Sequence, residues 1–242
     1  MSSIKIATLN INGLTSQTRE SILEAFLRFQ EIDSMLLQEV TQHVLHDLRG
    51  CTTHYNIAAS MRSTATIARG EINLENVTRI PSGHAIAAKF RELWLINIYA
   101  PSGTAQKQER ERFYNSVLAY LISEASGQII LCGDFNCVQE TTDSTGCFNY
   151  SRALAELVHG FALKDTWQGD PTRKVFTHCS VSGATRIDRI YASQQLLARK
   201  LRVEAVAEAF TDNLAVCLRM SVDLPILRAG RSLWKLGSAI LT

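Results

Sequence analysis

The chain has 242 residues, 46% of them hydrophobic, and a formal net charge of +2. That is enough apolar material for one large core, with no Pro/Gly/Ser-rich linker to divide it. Near-neutrality argues against a strongly basic nucleic-acid wrapper, although a local basic patch can sit inside a balanced total. The six cysteines are scattered without a Cys-x-x-Cys pair, which points to reduced thiols in an intracellular protein rather than disulfides or zinc. The N-terminus has no apolar signal core, and no apolar run reaches the ~18 residues of a membrane span.

In chain order, Ile4–Leu9 reads as a strand that exits into Asn10-Ile11-Asn12-Gly13. A helix begins near Ser16, with Ile22, Leu23, Phe26 and Leu27 on its apolar face. Ser34–Glu39 is a buried strand that ends in an acid. Residues 52–98 read as a run of strands: Tyr55–Ala59, the neighbourhood of Ile67, Ile72–Ile80, His84–Phe90 and Leu93–Tyr99. Thr104–Ala125 is the longest helix, with Lys107, Glu109, Arg110, Glu111 and Arg112 as its solvated face. Then Ile129-Ile130-Leu131-Cys132 runs through Gly133 into Asp134-Phe135-Asn136: a buried strand, a sharp turn, and an acid and an amide at its end. Ser151–Gly160 reads as helix and Lys174–Thr177 as strand. Arg186–Tyr191 alternates, with Ile187 and Ile190 on one face and Asp188 on the opposite one. Leu201–Ala209 and Leu214–Leu218 are the last strands, separated by Thr211-Asp212-Asn213. Strands in this number with few helices predict an α/β four-layer sandwich: two packed mixed β-sheets flanked by helices.

Singly, Asn10, Asn12, Glu39, Asp134, Asn136, Asp188 and Asp212 are turn or surface residues. Together they place acids and amides at the ends of apolar runs, where ligands gather in layered α/β folds. An oxygen-rich set of this kind suits Mg²⁺, which binds one or two carboxylates, some waters and a substrate phosphate. The sequence has no Gly-rich phosphate loop ending in Lys, no Gly-x-Ser-x-Gly elbow and no His-Glu-x-x-His zinc motif.

Six stretches occur in the order and rough spacing of the endonuclease/exonuclease/phosphatase superfamily. They are Thr8–Leu14, Gln38-Glu39, Asn97–Pro101, Gly133–Asn136, Ile187-Asp188 and Thr211–Asn213. The wording of Asn10–Leu14 and Asn97–Gly103 most resembles the apurinic-type endonuclease domain of LINE-like (non-LTR) retrotransposons. The resemblance covers residues 4 to about 222, so an endonuclease domain is expected over 1–224. Residues 225–242, with Arg231–Leu236, would lead towards a downstream reverse transcriptase of the same polyprotein.

The resemblance implies a role for each matching residue. Glu39 would hold Mg²⁺ (or Mn²⁺), helped by Asn10 and Asp212. Asp134 would orient or deprotonate the attacking water, Asn136 would contact the scissile phosphate, and Tyr99 would steady it. Asn12 stands where many relatives carry Asp, Thr177 matches a position that touches DNA, and the loop 180–185 corresponds to a hairpin that probes the duplex. Nicking of double-stranded DNA would leave a 3′-hydroxyl for target-primed reverse transcription, in the nucleus, by a domain that is monomeric in isolation. Relatives end the last motif in Asp-His, the His pairing with the acid that matches Asp188. Here it ends in Asn213, which neither titrates nor carries positive charge. His178 looks like a packing or DNA-contacting residue rather than a substitute. The implied function is therefore a Mg²⁺-dependent DNA endonuclease impaired or inactive as written. The alternatives are a phosphatase of the same superfamily and a catalytically silent DNA-binding module.

Overall fold

A computed structural model describes residues 2–13, 17–41, 48, 50–57, 63–70, 72–146, 148–167, 175–181 and 183–222. The tail 225–242 and its Arg231–Leu236 segment lie outside these residues, as do Ala58 and Ala59.

The elements follow as β1 (Ser2–Asn10), α1 (Gln17–Phe29), β2 (Ser34–Gln38), β3 (Cys51–Asn56), β4 (Thr64–Arg69), β5 (Glu75–Arg79), β6 (Ala85–Phe90) and β7 (Leu93–Tyr99). A long helix comes next, built of α2 (Lys107–Arg112), a π-helical stretch (Phe113–Leu118) and α3 (Ala119–Glu124). Then come β8 (Gln128–Asp134), α4 (Arg152–Gly160), β9 (Leu163–Asp165), β10 (His178–Ser180), β11 (Gly183–Thr185), β12 (Asp188–Ser193), α5 (Gln194–Leu197), β13 (Lys200–Ala207) and β14 (Leu214–Val222). One six-stranded sheet runs β13-β14-β1-β2-β4-β3 and the other β5-β6-β7-β8-β12-β9, with β10-β11 a separate hairpin.

Each large sheet holds one parallel pair, β1–β2 and β7–β8, among antiparallel neighbours. A β-α-β connection forces the parallel pairing, since the chain must cross back over the sheet through α1 or the long helix. The parallel strands therefore end at one edge of the sandwich. Their antiparallel partners β12 and β14 begin there.

Three apolar clusters define the four layers. Ile4, Ile6, Leu36, Ile130, Cys132, Ile190, Val216 and Leu218 fill the space between the sheets. Leu23, Phe26 and Leu27 of α1 cover the outer face of the first sheet through Leu9, Leu37 and Cys217. Tyr114, Leu118, Leu121, Leu154 and Leu157 cover the second through Ile96, Ile98 and Leu131. A polar contact crosses the middle layer: Gln38 Nε2 donates to Asn97 Oδ1 at 2.7 Å, and Asn97 Nδ2 to the carbonyls of Leu37 and Ala65.

Several expectations about elements are corrected. Residues three apart cannot share a strand face, so Ile187 and Ile190 do not; Asp188 has the parity of Ile190 and Ala192, whose side chains lie in the middle layer. Asp188 is 1% exposed. Val175–Thr177 is irregular and the strand starts at His178. The strand expected over Ile72–Ile80 is confined to Glu75–Arg79. Arg110, expected in solvent, is fully buried: its guanidinium donates to the carbonyls of Pro101 and Gly103 and to Asn149 Oδ1. Its charge is spent on holding two loops.

Candidate active site

The edge where β1, β2, β7 and β8 end and β12 begins carries most of the expected site residues, with Asn213 just ahead of β14. Asn10 closes β1, and Glu39 follows β2. Tyr99 closes β7, Asp134 closes β8, and Asp188 opens β12. Glu39, Asn12 and Asn136 all have positive φ, at 55°, 47° and 49°. Asn tolerates that region; Glu does so at a cost, and such strain collects where a side chain must be aimed.

Asn10 is the hub. Its Nδ2 donates to Glu39 Oε1 at 2.9 Å and to Asp134 Oδ2 at 3.0 Å, while its Oδ1 accepts the Asn12 N–H at 2.9 Å. One amide thus fixes the spacing of two carboxylates from different sheets. Asn12 lies exposed at the rim. Asp134 Oδ1 also accepts the Asn136 N–H, and Asn136 Nδ2 donates to the Ala100 carbonyl. Tyr114, buried in the π-helical stretch, bonds the Phe135 carbonyl and braces the turn from behind. Tyr99 is buried; that burial foremost, then the Glu39 charge, raises its hydroxyl well above the usual phenol range and holds its proton on.

Asp134 and Asp188 face each other across β8 and β12. Burial foremost, opposed by hydrogen bonds from Asn10 and Asn136 and reinforced by the Glu39 charge, pushes the Asp134 carboxyl up to about 7. Asp188 is raised well above the usual carboxylate range, by burial first and by Asp134 second. Neither Asp188 oxygen has a well-formed hydrogen bond among the described residues, and Asn213 Oδ1 is likewise unmatched. Asn213 turns its Nδ2 to Asp212 Oδ1 at 3.1 Å instead. Asp212 is exposed, and its neighbour Thr211 ties this loop to β1 by donating to the Asn10 carbonyl at 2.8 Å.

Thr177, just ahead of β10, is 2% exposed, and its hydroxyl accepts the N–H groups of Ile187 and Asp188. It props Asp188 from within. The hairpin β10–β11 exposes Val181 fully at its tip. Asp143 and Asp165 bind Arg186 and Arg189 in a buried quartet, with N···O distances of 2.5–2.9 Å. The two arginines flank Asp188, so the quartet fixes the start of β12. It also docks the hairpin, because Arg186 N donates to Asp143 O and Thr145 N to Ala184 O. Alternating charge around Ile187 was the sequence signal for it, but only the fold shows which acids answer.

Among the described residues no three His, Cys, Asp or Glu side chains gather into a metal cage. Glu39 and Asp212 carry hard carboxylate oxygens of the kind a divalent cation takes, whereas Asn10 turns its Nδ2 to Glu39 and Asp134 and its Oδ1 to the Asn12 N–H.

The profile of the Endonuclease/Exonuclease/phosphatase family matches residues 7–212. The "Transposon TX1 uncharacterized 149 kDa protein" of Xenopus laevis is 27% identical over 98% of this chain, which spans about a fifth (19%) of that relative's length. An AP endonuclease structure from Archaeoglobus fulgidus superposes with TM-score 0.77 at 20% identity, and a 3′-5′ exonuclease from Neisseria meningitidis with 0.77 at 19%. Each covers 90% of this chain and 100% of its own. At such identities these likenesses establish the fold.

Proposed function

The chain belongs to the endonuclease/exonuclease/phosphatase family, whose members are generally divalent-metal-dependent hydrolases, and from that premise we propose that it is the DNA endonuclease domain of a LINE-like retrotransposon, impaired by Asn213. The observation that carries this reading is the convergence of Asn10, Glu39, Tyr99, Asp134, Asn136 and Asp188 at one sandwich edge, with two facing acids whose protons are held up by burial.

In this reading Glu39, Asp212 and Asn10 hold Mg²⁺ or Mn²⁺. When bound, the cation supplies charge at the phosphate and at the leaving oxygen. Asp134, poised near neutrality, orients the attacking water and accepts its proton. Asn136 and Tyr99 hold the phosphodiester in line, Thr177 keeps Asp188 in place, and Asn12 meets the DNA at the rim. Attack on phosphorus breaks the P–O3′ bond and leaves a 3′-hydroxyl and a 5′-phosphate. The 3′-hydroxyl primes a reverse transcriptase encoded beyond residues 225–242, on target DNA in the nucleus, with the isolated domain monomeric. Asn213 favours one second reading, a silent DNA-binding module: its amide is engaged with Asp212, and Asp188 has no positively charged partner at position 213.

Nicking of supercoiled plasmid in Mg²⁺ decides the matter. Asn213→His is expected to raise the rate by about 10²–10⁴ over the natural chain, and Asp134→Asn to abolish it in either background. An Asn213→His chain that hydrolyses a phosphomonoester but leaves plasmid intact would sink the nuclease reading. If it binds duplex and hydrolyses neither, the silent module stands.

A further inference from the structure

The imidazole absent from position 213 has a neighbour that comes at the same place from another strand. His178 and Asn213 form an antiparallel bridge, and the N–H of Leu214 donates to the Thr177 carbonyl at 2.7 Å beside it. Residues opposed in such a bridge have Cα atoms about 4.5–5.5 Å apart and side chains on one face. Both side chains here address the same carboxylate. Asn213 Nδ2 reaches Asp212 Oδ1 at 3.1 Å, and His178 Nε2 lies 3.7 Å from Asp212 Oδ2. The second separation is too long for a hydrogen bond, so a ring nitrogen remains available at the site. The ring is 28% exposed and lines a cavity of about 310 Å³ that Asn136 and Ile187 also line. It therefore stands between Asp212 and the space beside Asn136, where the nuclease reading places the phosphodiester.

We propose that His178 is a catalytic residue of this chain: its ring N–H donates a hydrogen bond to a non-bridging oxygen of the scissile phosphate, supplying from β10 the contact that Asn213 cannot make from the head of β14. This rests on the nuclease reading. The ring stays a hydrogen-bond donor throughout and gives up no proton; the bonds made and broken at phosphorus are those already described. The hairpin connection makes the placement sturdy. His178 pairs with Thr185 as well as with Asn213, so its backbone is held on both sides. The adjacent Thr177 is anchored by the N–H groups of Ile187 and Asp188.

The test is a double-mutant cycle in plasmid nicking with Mg²⁺, using His178→Ala, Asn213→His and the combination, with Asp134→Asn as the background control. The natural chain is expected to nick above that control. His178→Ala should lower its rate at least about tenfold, the size of one lost hydrogen bond worth ~1.4 kcal/mol. The same change should cost at most about threefold in the Asn213→His background, because one imidazole then covers the oxygen. His178→Gln, which keeps a donor of similar reach, should recover part of the loss in the natural chain, with the effect in kcat rather than KM. A purely structural role would lower the rate equally in both backgrounds. Equal losses, no loss, or a natural chain no better than Asp134→Asn while Asn213→His nicks would each overturn the proposal. If the Asn213→His chain itself fails to nick, the nuclease reading falls instead, and the two failures are distinguishable.

Discussion

Asp188 shows how much one side chain depends on another. Among the described residues its buried carboxyl has no well-formed hydrogen bond, so neutrality is the cheaper state, and Asp134 across the ladder makes ionisation harder still. A folded-state carboxyl raised above its unfolded value binds protons that the unfolded chain has already released. Unfolding free energy therefore falls as pH climbs through that window, from about 4 to about 7 for Asp134 and upward from its ordinary value for Asp188. Asp143 and Glu204, held low, contribute only below that range, and His54, held low by burial and Arg79, opposes the trend up to its usual value. Metal-free urea denaturation from pH 4.5 to 8 should thus show a slope that Asp188→Asn makes less negative, by up to ~1.4 kcal/mol per pH unit. Parallel profiles for the two chains would contradict the assignment. The candidacy of Asp188 could be read from the sequence; its raised pKa could not, because that follows from burial between two sheets.

At the level of elements, Gly133 governs the exit of β8. It pairs with Ile98 of β7 at a φ of 145°, and a Cβ there would meet the Ile98 carbonyl oxygen at 1.9 Å. Backbone, not a yielding side chain, is what it would strike. Gly133→Ala should lower stability by at least about 3 kcal/mol in chemical denaturation. It should also spread β7 from β8 and so part Tyr99 from Asp134, which are paired in register. A loss under ~1 kcal/mol would mean the strands separate freely. The sequence showed this strand plainly, since an apolar run ending in Gly-Asp has few other readings. It misplaced Asp188 on β12 because Ile187 and Ile190, three residues apart, were put on one face, which the two-residue period of a strand does not allow. Arg110 was misjudged for a different reason: helical periodicity marks which face is charged, not whether carbonyls from other loops wait there to be bridged.

Across the whole molecule, the site exists because two β-α-β crossovers end their parallel strands at one edge, and the quartet of Arg186, Arg189, Asp143 and Asp165 locks the strand that arrives from the other direction. The two guanidiniums and two carboxylates come from a loop, β9 and the segment around β12. With Arg189 at 1% side-chain exposure, desolvation is heavy, and it is offset through the two terminal nitrogens, which bind Asp165 and Asp143, while Nε has no hydrogen bond among the described residues. Arg189→Met should destabilise by about 3–5 kcal/mol, leaving Asp143 and Asp165 to share one guanidinium. Arg186→Met, at a 15% exposed position, should cost less. Equal effects in urea titrations would show that burial is not what sets the energetics of the quartet.

The amino-acid sequence by itself determined the layered α/β architecture and most of the candidate residues gathered at one edge, because apolar runs that end in acids and amides are local patterns: each is written within a few consecutive residues. Only the tertiary structure decided which residues meet. It turned Thr177 inward, set Asp188 across from Asp134, buried Arg110 and set His178 opposite Asn213. The reason is physical: burial, pairing register and the choice of hydrogen-bond partner depend on residues distant in the chain, and a sequence pattern holds no distances between strands.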